Sequence, residues 1–377
     1  MINDYNLRLK KIEEHLYTIL PKQKDVSWAA NCAGIPENKF DKSFFENICN
    51  INIPLLDLLE RGGKRWRPML MLLLYEMKNS DAACADLPSA PASVRHPCCS
   101  ADRDVRVAEK IIPLTPLVEL SHNGSLIVDD IEDNSELRRG KPAIHILHGV
   151  DMSINSANFL YFLAFDAIEN SGFDETQKFL FYRYYAKAMK RLHVGQGLDI
   201  QWHNNHSFFP KEEEYFQMCR FKTGALSRLA AEIALAASGA ANEEIYEVGS
   251  ACEEMGVGFQ IFDDVINLTK GNPGKKRGDD IIEGKKSLPV ILFCQSNGDV
   301  GELTQCFKDA ASIDTDKRDK AVERAIALME TNNSIEKARV KALEIMEKSV
   351  KTIESRYENS AARQIIFFIF DSFKKVG

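Results

Sequence analysis

The sequence lacks an apolar run that could cross a bilayer, since a helical span takes about 20 residues and the most apolar stretch, 68–77, has about ten. Positive charge is also in deficit: the formal net charge of −7 argues against a nucleic-acid partner, which requires a basic face. The nine cysteines include no Cys-x-x-Cys pair, which argues against structural zinc and favours free thiols in a reducing compartment. Residues 1–11 carry charges and no apolar segment, so we expect a cytoplasmic protein.

Alternation with a period of two, the pattern of a half-buried strand, is almost missing. Helical spacing is common instead. Leu7, Ile12, Leu16 and Ile19 repeat at helical spacing, and residues 321–353 read as amphipathic helices with cap residues near 332–334. The sequence therefore predicts an all-α fold, with a single domain over residues 1–377 that contains about ten or more helices.

One stretch, residues 80–107, departs from the helical pattern. Ala, Pro, Ser and Asp dominate it, so it cannot bury enough apolar surface to offset the entropy lost on ordering the backbone. We expect a mobile surface loop here. Because structureless loops of this length are unusual in compact domains, an insertion with no role in folding is the alternative.

The strongest local signal is an acidic cluster at the end of an apolar helical stretch. Asp129 and Asp133 are four positions apart and share a helix face, with Asp130 beside them. Unpaired buried carboxylates are costly, and Mg²⁺ is a hard cation that carboxylates and phosphates hold together. Arg138 and Arg139 follow, and guanidinium groups bind phosphate oxygens bidentately. The cluster predicts a metal and phosphate site.

A second acidic cluster repeats this design. Asp263 and Asp264 end an apolar stretch, Asn267 stands four positions after Asp263, and basic residues follow within 270–286. One Asp-Asp pair near a helix end is most often a solvated surface. Two such clusters, each followed by cations, predict two acidic faces that meet across one cavity with Mg²⁺ and a diphosphate between them.

A third, basic element surrounds a Gly-Gly pair. Lys64 and Arg67 follow Gly62 and Gly63, and glycine lets the backbone approach a ligand closely. By itself this element could be a solvated turn before a helix. Together with the acidic clusters it predicts a second anion-binding group.

Six segments together resemble the polyprenyl synthetase family of trans-isoprenyl diphosphate synthases, and the eukaryotic geranylgeranyl diphosphate synthases look closest. They occur in the family's order at 63–68, 119–133, 137–142, 195–199, 222–224 and 258–264. The resemblance implies an isoprenoid synthase fold around a central substrate cavity. It also implies Mg²⁺-dependent, head-to-tail condensation of isopentenyl diphosphate with a dimethylallyl, geranyl or farnesyl diphosphate, to give a linear all-trans prenyl diphosphate. The sequence departs from the family's pattern at Asn267, where Asp is usual, and at 80–107.

The resemblance also implies roles for the matching positions. About three Mg²⁺ ions would be held by the carboxylates of Asp129, Asp130, Asp133, Asp263 and Asp264. The allylic substrate would be bound by Arg138, Lys222, Thr223, Gln260, Asn267, Lys275 and Lys285, with Lys276 and Arg277 as alternatives to Lys275. Isopentenyl diphosphate would be bound by Lys64, Arg67, His122 and Arg139. Thr223 and Gln260 would also lie near the developing allylic cation.

Product length should depend on the depth of the cavity. Gly124 and Ser125 lie about one helical turn, roughly 5.4 Å, before Asp129, where the growing tail must pass. Both are small, which favours a C20 product, geranylgeranyl diphosphate, over a farnesyl product, with a longer product as a further alternative. Three aromatic residues, if they are not ordinary core or subunit contacts, could form the floor: Phe159, Tyr161 and Phe162.

Two other classes of protein share part of this pattern. A class I terpene cyclase also uses an Asp-rich motif and Mg²⁺, but it needs no second diphosphate site. A non-catalytic regulatory subunit usually lacks one Asp-rich motif, and both are present here. The resemblance further implies a homodimer or higher homo-oligomer with small-molecule substrates, and we expect neither a nucleic-acid partner nor a membrane span.

Overall fold

The computed structural model describes residues 2–80, 108–271, 276–296 and 298–376. Within these ranges almost all regular structure is helical, which confirms the all-α prediction. Residues 81–107 of the predicted loop and Lys275 lie outside the described residues. Among the helices that are described, none combines the length and the hydropathy needed to span a bilayer.

The first half of the chain opens with five helices: α1 (Ile2–Ile19), α2 (Val26–Cys32), α3 (Phe45–Ile51), α4 (Ile53–Glu60) and α5 (Trp66–Ser80). The elements after residue 107 are α6 (Thr115–Glu132), β1 (Leu137–Arg138), β2 (Lys141–Pro142), α7 (Ile144–His148), α8 (Val150–Leu163), α9 (Asp166–Glu169) and α10 (Glu175–His203). The two short strands pair antiparallel, with Leu137 opposite Pro142. Sequence patterning did not predict this hairpin, because two residues per strand are too few to show alternation.

The second half contains α11 (Glu212–Cys219), a π-helical turn (Arg220–Gly224), α12 (Ala225–Ala237), α13 (Asn242–Thr269), α14 (Asp279–Glu283), α15 (Leu288–Gln295), α16 (Val300–Ala310), α17 (Thr315–Thr331), α18 (Ser334–Arg356) and α19 (Ala361–Val376). The predicted helix break near 332–334 is confirmed. Asn332 ends α17, and Asn333, in the left-handed region with φ 61°, precedes α18.

The chain divides into two compact units. The first comprises Met1–Tyr182, Ile233–Ala240 and Ser360–Ile365, and the second comprises Arg183–Glu232, Ala241–Asn359 and Ile366–Gly377. The first Asp-rich motif belongs to the first unit and the second motif to the second unit. The single domain expected over 1–377 stays a prediction.

Helix α6 forms the core of the first unit. It packs against α1, α5 and α8, and residues 115–121 are buried on every side. This explains its continuous apolar pattern. α1 is joined to α5 by a buried ion pair in which Arg8 Nη2 lies 2.8 Å from Glu76 Oε2. The packing fixes the last turn of α6, which carries the first aspartates.

Helices α13 and α18 form the core of the second unit. Gly258 lets them approach closely, since a Cβ at this position would lie 2.7 Å from Met346 Cγ. On another side of α13, a Cβ on Gly256 would lie 2.7 Å from the Cα of Gly224 in the π-helical turn. Small residues therefore set the position of the second Asp-rich motif against its neighbours.

Candidate active site

In the first unit, Arg61 anchors the Gly62-Gly63 loop to the hairpin that carries Arg138. Its Nε and Nη2 donate to the two carboxylate oxygens of Asp57 at 2.9 and 3.0 Å. Its Nη1 donates to the carbonyls of Arg138 at 3.1 Å and Pro142 at 2.8 Å. Sequence reasoning assigned no role to Arg61 or Asp57, because the hairpin carbonyls that Arg61 contacts lie far away along the chain.

Arg65 fixes the conformation of the same loop. Its backbone is in the left-handed region with φ 47°, which is uncommon for a side chain of this size. Its buried guanidinium donates to Glu119 Oε1 at 2.6 Å and to the Leu59 carbonyl at 2.7 Å. Lys64 next to it is exposed, while its carbonyl accepts from the Tyr5 hydroxyl at 3.2 Å. The loop thus presents the predicted ligand Lys64 to solvent.

His122 lies close to the guanidinium groups of Arg67 and Arg139, the other two residues of this group that the family resemblance assigns to isopentenyl diphosphate. Arg67 Nη1 lies 3.4 Å from His122 Nε2, and a Cβ on Gly63 would lie 3.0 Å from Arg139 Nη2. Burial lowers the pKa of Arg67 and of Arg139 to about 10, and Arg65 contributes to the shift of Arg139. Burial, followed by Arg67 and Arg139, holds the pKa of His122 well below its usual value. Such a cluster favours binding of an anion.

The hairpin aims its two arginines in different directions. Arg139 and Gly140 form its two-residue turn, with φ 55° and 73°, the pattern of a type I′ turn. Arg139 Nη1 donates to the Leu58 carbonyl at 3.0 Å, on the side of the cationic cluster. Arg138 turns to the acidic cluster: its Nε donates to both carboxylate oxygens of Asp130, at 2.8 and 3.0 Å.

The first acidic cluster stands at the C-terminal end of α6, where the helix dipole disfavours negative charge. Asp130 is fully buried, Asp129 and Asp133 are half-buried, and Arg138 Nη2 reaches Asp129 Oδ2 at 3.4 Å. Arg138 therefore neutralises part of the cluster from within the chain. Its predicted contact with an allylic diphosphate stays a prediction.

Gly124 and Ser125, the residues proposed to set product length, differ in their surroundings. A Cβ on Gly124 would lie 2.8 Å from Tyr161 Cε1 and 3.0 Å from the Ala157 carbonyl, so this glycine lets α8 approach α6. Ser125 is half-buried, and its hydroxyl donates to the His122 carbonyl at 2.8 Å. Phe159 is half-buried and Phe162 is 66% exposed. A larger side chain at Gly124 would clash with α8, so Ser125 is the position of the two at which a substitution can test the depth of the cavity.

In the second unit, the buried carboxylate of Asp264 accepts hydrogen bonds from three neutral donors. The Tyr215 hydroxyl and the Leu288 amide donate to its Oδ2, at 2.6 and 3.2 Å. Gln260 Nε2 donates to its Oδ1 at 3.0 Å. Burial raises the pKa of Asp264 to about 6, and the adjacent Asp263 adds to the shift. A bound cation would relieve this unfavourable charge.

The π-helical turn places Lys222 and Thr223 beside this motif. Lys222 Nζ lies 2.6 Å from Asp199 Oδ2, and the Thr223 hydroxyl donates to Gln260 Oε1 at 2.7 Å. A Cβ on Gly195 would lie 2.3 Å from the Lys222 amide nitrogen, so α10 can approach the turn only through a glycine. Such turns often mark functional sites. The segments 195–199 and 222–224, which are two separate motifs in the sequence, are therefore in contact in the structure.

Asn267 and Lys285, also predicted as ligands, have partners within the chain. Asn267 is fully buried, and its Oδ1 accepts from the Asp280 amide at 3.3 Å. Lys285 Nζ lies 2.7 Å from Glu283 Oε2. Their roles as substrate ligands stay predictions, and Asn267 has a structural role that the sequence did not indicate.

The donor chemistry at both motifs suits Mg²⁺, although no preformed cage is present. Among the described residues, no group of three or more His, Cys, Asp or Glu side chains is arranged to hold a metal ion. The two motifs nevertheless offer carboxylate oxygens, the ligands that Mg²⁺ takes along with substrate phosphates. The raised pKa of Asp264 shows a carboxylate that a cation would stabilise.

Comparisons with known proteins agree with this chemistry. Geranylgeranyl pyrophosphate synthase from Dictyostelium discoideum is 35% identical over 248 residues, which are 65% of this chain and 77% of that protein. Geranylgeranyl pyrophosphate synthetase from Pyrococcus horikoshii superposes with a TM-score of 0.72 at 27% identity, over 97% of this chain and 95% of that chain.

A third relative shows the fold alone. Heptaprenyl diphosphate synthase from Staphylococcus aureus also has a TM-score of 0.72, at 20% identity, over 98% of each chain. The sequence pattern of the polyprenyl synthetase family matches residues 50–329 and so includes both Asp-rich motifs. From this match, and from the acidic and cationic groups described above, the chain belongs to the polyprenyl synthetase family.

Proposed function

We propose that this chain is a Mg²⁺-dependent prenyltransferase that condenses isopentenyl diphosphate with an allylic diphosphate. The observation that carries the proposal is the cluster of Arg67, His122 and Arg139: Arg67 Nη1 lies 3.4 Å from His122 Nε2, and Arg139 also acts on this histidine. Burial lowers the pKa of both guanidinium groups to about 10. Glu119 offsets only part of this charge, so a polyanion such as a diphosphate is the expected ligand. A terpene cyclase would not need this second anion site.

The reaction breaks the allylic C–O bond, and the diphosphate leaves with the electron pair. A C–C bond forms to the terminal alkene carbon of isopentenyl diphosphate, and a proton is lost from the carbon next to the new cation. Bound Mg²⁺, about three ions, would neutralise charge on the leaving group. Arg138 in the first unit and Lys222 in the second would each bind diphosphate oxygens, while Lys64, Arg67 and Arg139 would bind the acceptor.

The test is incubation with labelled isopentenyl diphosphate, Mg²⁺ and each of three allylic primers, followed by chromatography. We expect elongation to a linear all-trans product. Hydrocarbon or alcohol without elongation would identify a cyclase. Activity that returns only with an added partner would identify a regulatory subunit.

We further propose that the product is geranylgeranyl diphosphate. Support comes from the geranylgeranyl synthase relatives and from the small Ser125. The fold does not set chain length, because the heptaprenyl synthase superposes equally well. Ser125→Phe should shorten the main product and Ser125→Ala should leave it unchanged, as measured by chromatography of the dephosphorylated products. An unchanged distribution in the Phe variant would remove Ser125 from the cavity wall.

A homodimer is our proposal for the assembly. Apolar side chains of the first unit are exposed on α7, α8 and α10, notably Ile154, Phe162 and Phe179. Exposed apolar patches often mark interfaces. Light scattering should give about twice the chain mass, and the mass of a single chain would refute the proposal.

For the compartment we propose the cytoplasm. The six cysteines within the described residues are free thiols, which suits a reducing environment. Fluorescence microscopy of the tagged full-length protein tests this, and an organellar signal would contradict it.

A further inference from the structure

Tyr215 is a buried tyrosine that the proposed mechanism leaves without a role. It lies on α11, just before the π-helical turn, and is 1% exposed. Its hydroxyl donates to Asp264 Oδ2 at 2.6 Å. A phenol placed in the core beside a carboxylate, with a short hydrogen bond, is a specific arrangement, because a phenylalanine would fill the same space without a polar group.

The contact is one link in a closed chain of hydrogen bonds between two segments. Two hydrogen bonds join the segment 212–224 to the Asp-rich end of α13: one from Tyr215 to Asp264, and one from the Thr223 hydroxyl to Gln260 Oε1 at 2.7 Å. On α13 itself, Gln260 Nε2 donates to Asp264 Oδ1 at 3.0 Å. Four side chains thus join the π-helical turn to the second Asp-rich motif.

This chain fixes the orientation of the Gln260 carboxamide. An ionised carboxylate can only accept hydrogen bonds, so Gln260 must present its NH₂ group to Asp264. Its oxygen then faces Thr223. If the Asp264 carboxylate rotated away, this preference would be lost, since an amide alone can turn through 180° at little cost.

We propose that Tyr215 is a positioning residue for the second Asp-rich motif: its hydroxyl holds the Asp264 carboxylate, which orients the Gln260 oxygen and fixes the metal-binding face of the motif. The expected effect on kcat rests on the proposed prenyltransferase function, whereas the expected effect on ligand binding does not. Preorganised dipoles of this kind act where charge develops in the transition state. Loss of the hydroxyl leaves Asp264 Oδ2 with the Leu288 amide alone among the neutral donors described above, at 3.2 Å.

The experiment compares Tyr215→Phe with Tyr357→Phe in the full chain. Tyr357 is a matched control, because its buried ring also donates to a carboxylate, Glu244 Oε1 at 2.9 Å, in the same unit but away from the motif. We expect Tyr215→Phe to lower kcat about ten- to a hundredfold. KM for isopentenyl diphosphate should stay within about twofold, because its predicted ligands belong to the other motif.

A binding measurement provides a readout that needs no turnover. Isothermal titration calorimetry with inorganic pyrophosphate in Mg²⁺ should show about tenfold or more weaker binding to Tyr215→Phe, and unchanged binding to Tyr357→Phe. Wild-type constants for Tyr215→Phe in both assays would overturn the inference. So would equal losses in both variants together with equal falls in Tm, which would indicate a general structural effect.

The two assays also separate this inference from the function it rests on. A wild-type chain that elongates no primer defeats the proposed function, while the calorimetric comparison still decides the role of Tyr215. An active wild type with unaffected Tyr215→Phe defeats only the positioning role.

Discussion

The two Asp-rich motifs stabilise their buried charges in different ways. At the first motif the partners are fully charged: Arg138 binds Asp130 and Asp129, and Arg65 binds Glu119 at 2.6 Å. At the second motif the partners of Asp264 are neutral donors, and burial raises its pKa to about 6.

Two buried cations, Arg65 and Lys286, differ in a similar way. Arg65 has a carboxylate partner, whereas the second unit's Lys286, 2% exposed, donates to the Gly284 carbonyl at 2.7 Å and lies over the rings of Phe307 and Phe209. Charged partners can exchange for ligand charge with little change in net charge. Neutral donors orient a carboxylate and leave its charge to be balanced by a ligand. At the first motif, ligand charges can therefore replace the charged protein partners. At the second motif, the neutral donors hold the Asp264 carboxylate in a fixed orientation.

The largest expected effect is at the first motif. Asp129→Ala removes a half-buried carboxylate that is a predicted Mg²⁺ ligand, so turnover should fall by several orders of magnitude, roughly 10³-fold or more. Circular dichroism should stay near that of the wild type. The exposed Asp319→Ala serves as the control. Unchanged turnover in Asp129→Ala would defeat the metal assignment.

Glu119→Gln tests the charged pairing of the first region. It leaves the guanidinium of Arg65 buried without a counter-charge, so the free energy of unfolding should fall by about 3 kcal/mol. KM for isopentenyl diphosphate should rise, since the Gly62-Gly63 loop loses the ion pair through which Arg65 fixes its conformation. Urea unfolding provides the measurement. Glu14→Gln, whose exposed side chain pairs loosely with Lys10, should cost less than about 0.5 kcal/mol, and equal losses would refute the comparison.

A pair of glycines two positions apart on α10 tests positioning in the second region. Gly195→Ala puts a methyl group 2.3 Å from the Lys222 amide nitrogen, so it should displace the π-helical turn, cost about 1–3 kcal/mol and lower kcat. Gly197→Ala meets no atom within 4 Å and should stabilise the helix by up to about 1 kcal/mol. The measurements are the thermal unfolding and the turnover of both variants. If both variants behave alike, close packing at Gly195 is not what places Lys222.

The smallest effect concerns Lys286. Burial lowers its pKa to about 8, and the thiol of Cys294 lies among the groups that face it. Between about pH 8 and 10 Lys286 is protonated in the unfolded chain but not in the folded one, so this residue adds a positive slope of at most about 1.4 kcal/mol per pH unit to the free energy of unfolding. Burial raises the pKa of the Cys294 thiol to about 11, so this thiol adds a slope of the opposite sign. Lys286→Met should lose this slope in urea unfolding, and the exposed Lys308→Met should keep it. A slope retained in Lys286→Met would contradict the assignment.

Much of the fold followed from local pattern. The repeat of Leu7, Ile12 and Leu16 lies in α1, whose buried residues include Ile12 and Leu16, and the break near 332–334 separates α17 from α18. Helical periodicity reports which face is buried, so it locates helices well. It does not report two-residue strands, and it cannot predict the π-helical turn, whose geometry depends on packing against Gly195.

At the candidate site, the sequence allowed residues to be proposed but did not indicate their contacts. The sequence indicated Arg67, His122 and Arg139 together, and they do lie close in the first unit. It gave no sign that Arg61 ties the loop to the hairpin or that Tyr215 holds Asp264, because these partners are distant along the chain and neither residue type stands out.

By itself, then, the sequence determined the helical fold and which charged groups belong to each motif, since both follow from residue type and short-range spacing. Only the tertiary structure decided how each charge is balanced: Arg138 on Asp130, Tyr215 on Asp264, Glu119 on Arg65. The physical reason is that hydrogen bonds and ion pairs depend on a few tenths of an ångström between side chains far apart in sequence, and packing at glycines such as Gly195 sets those distances.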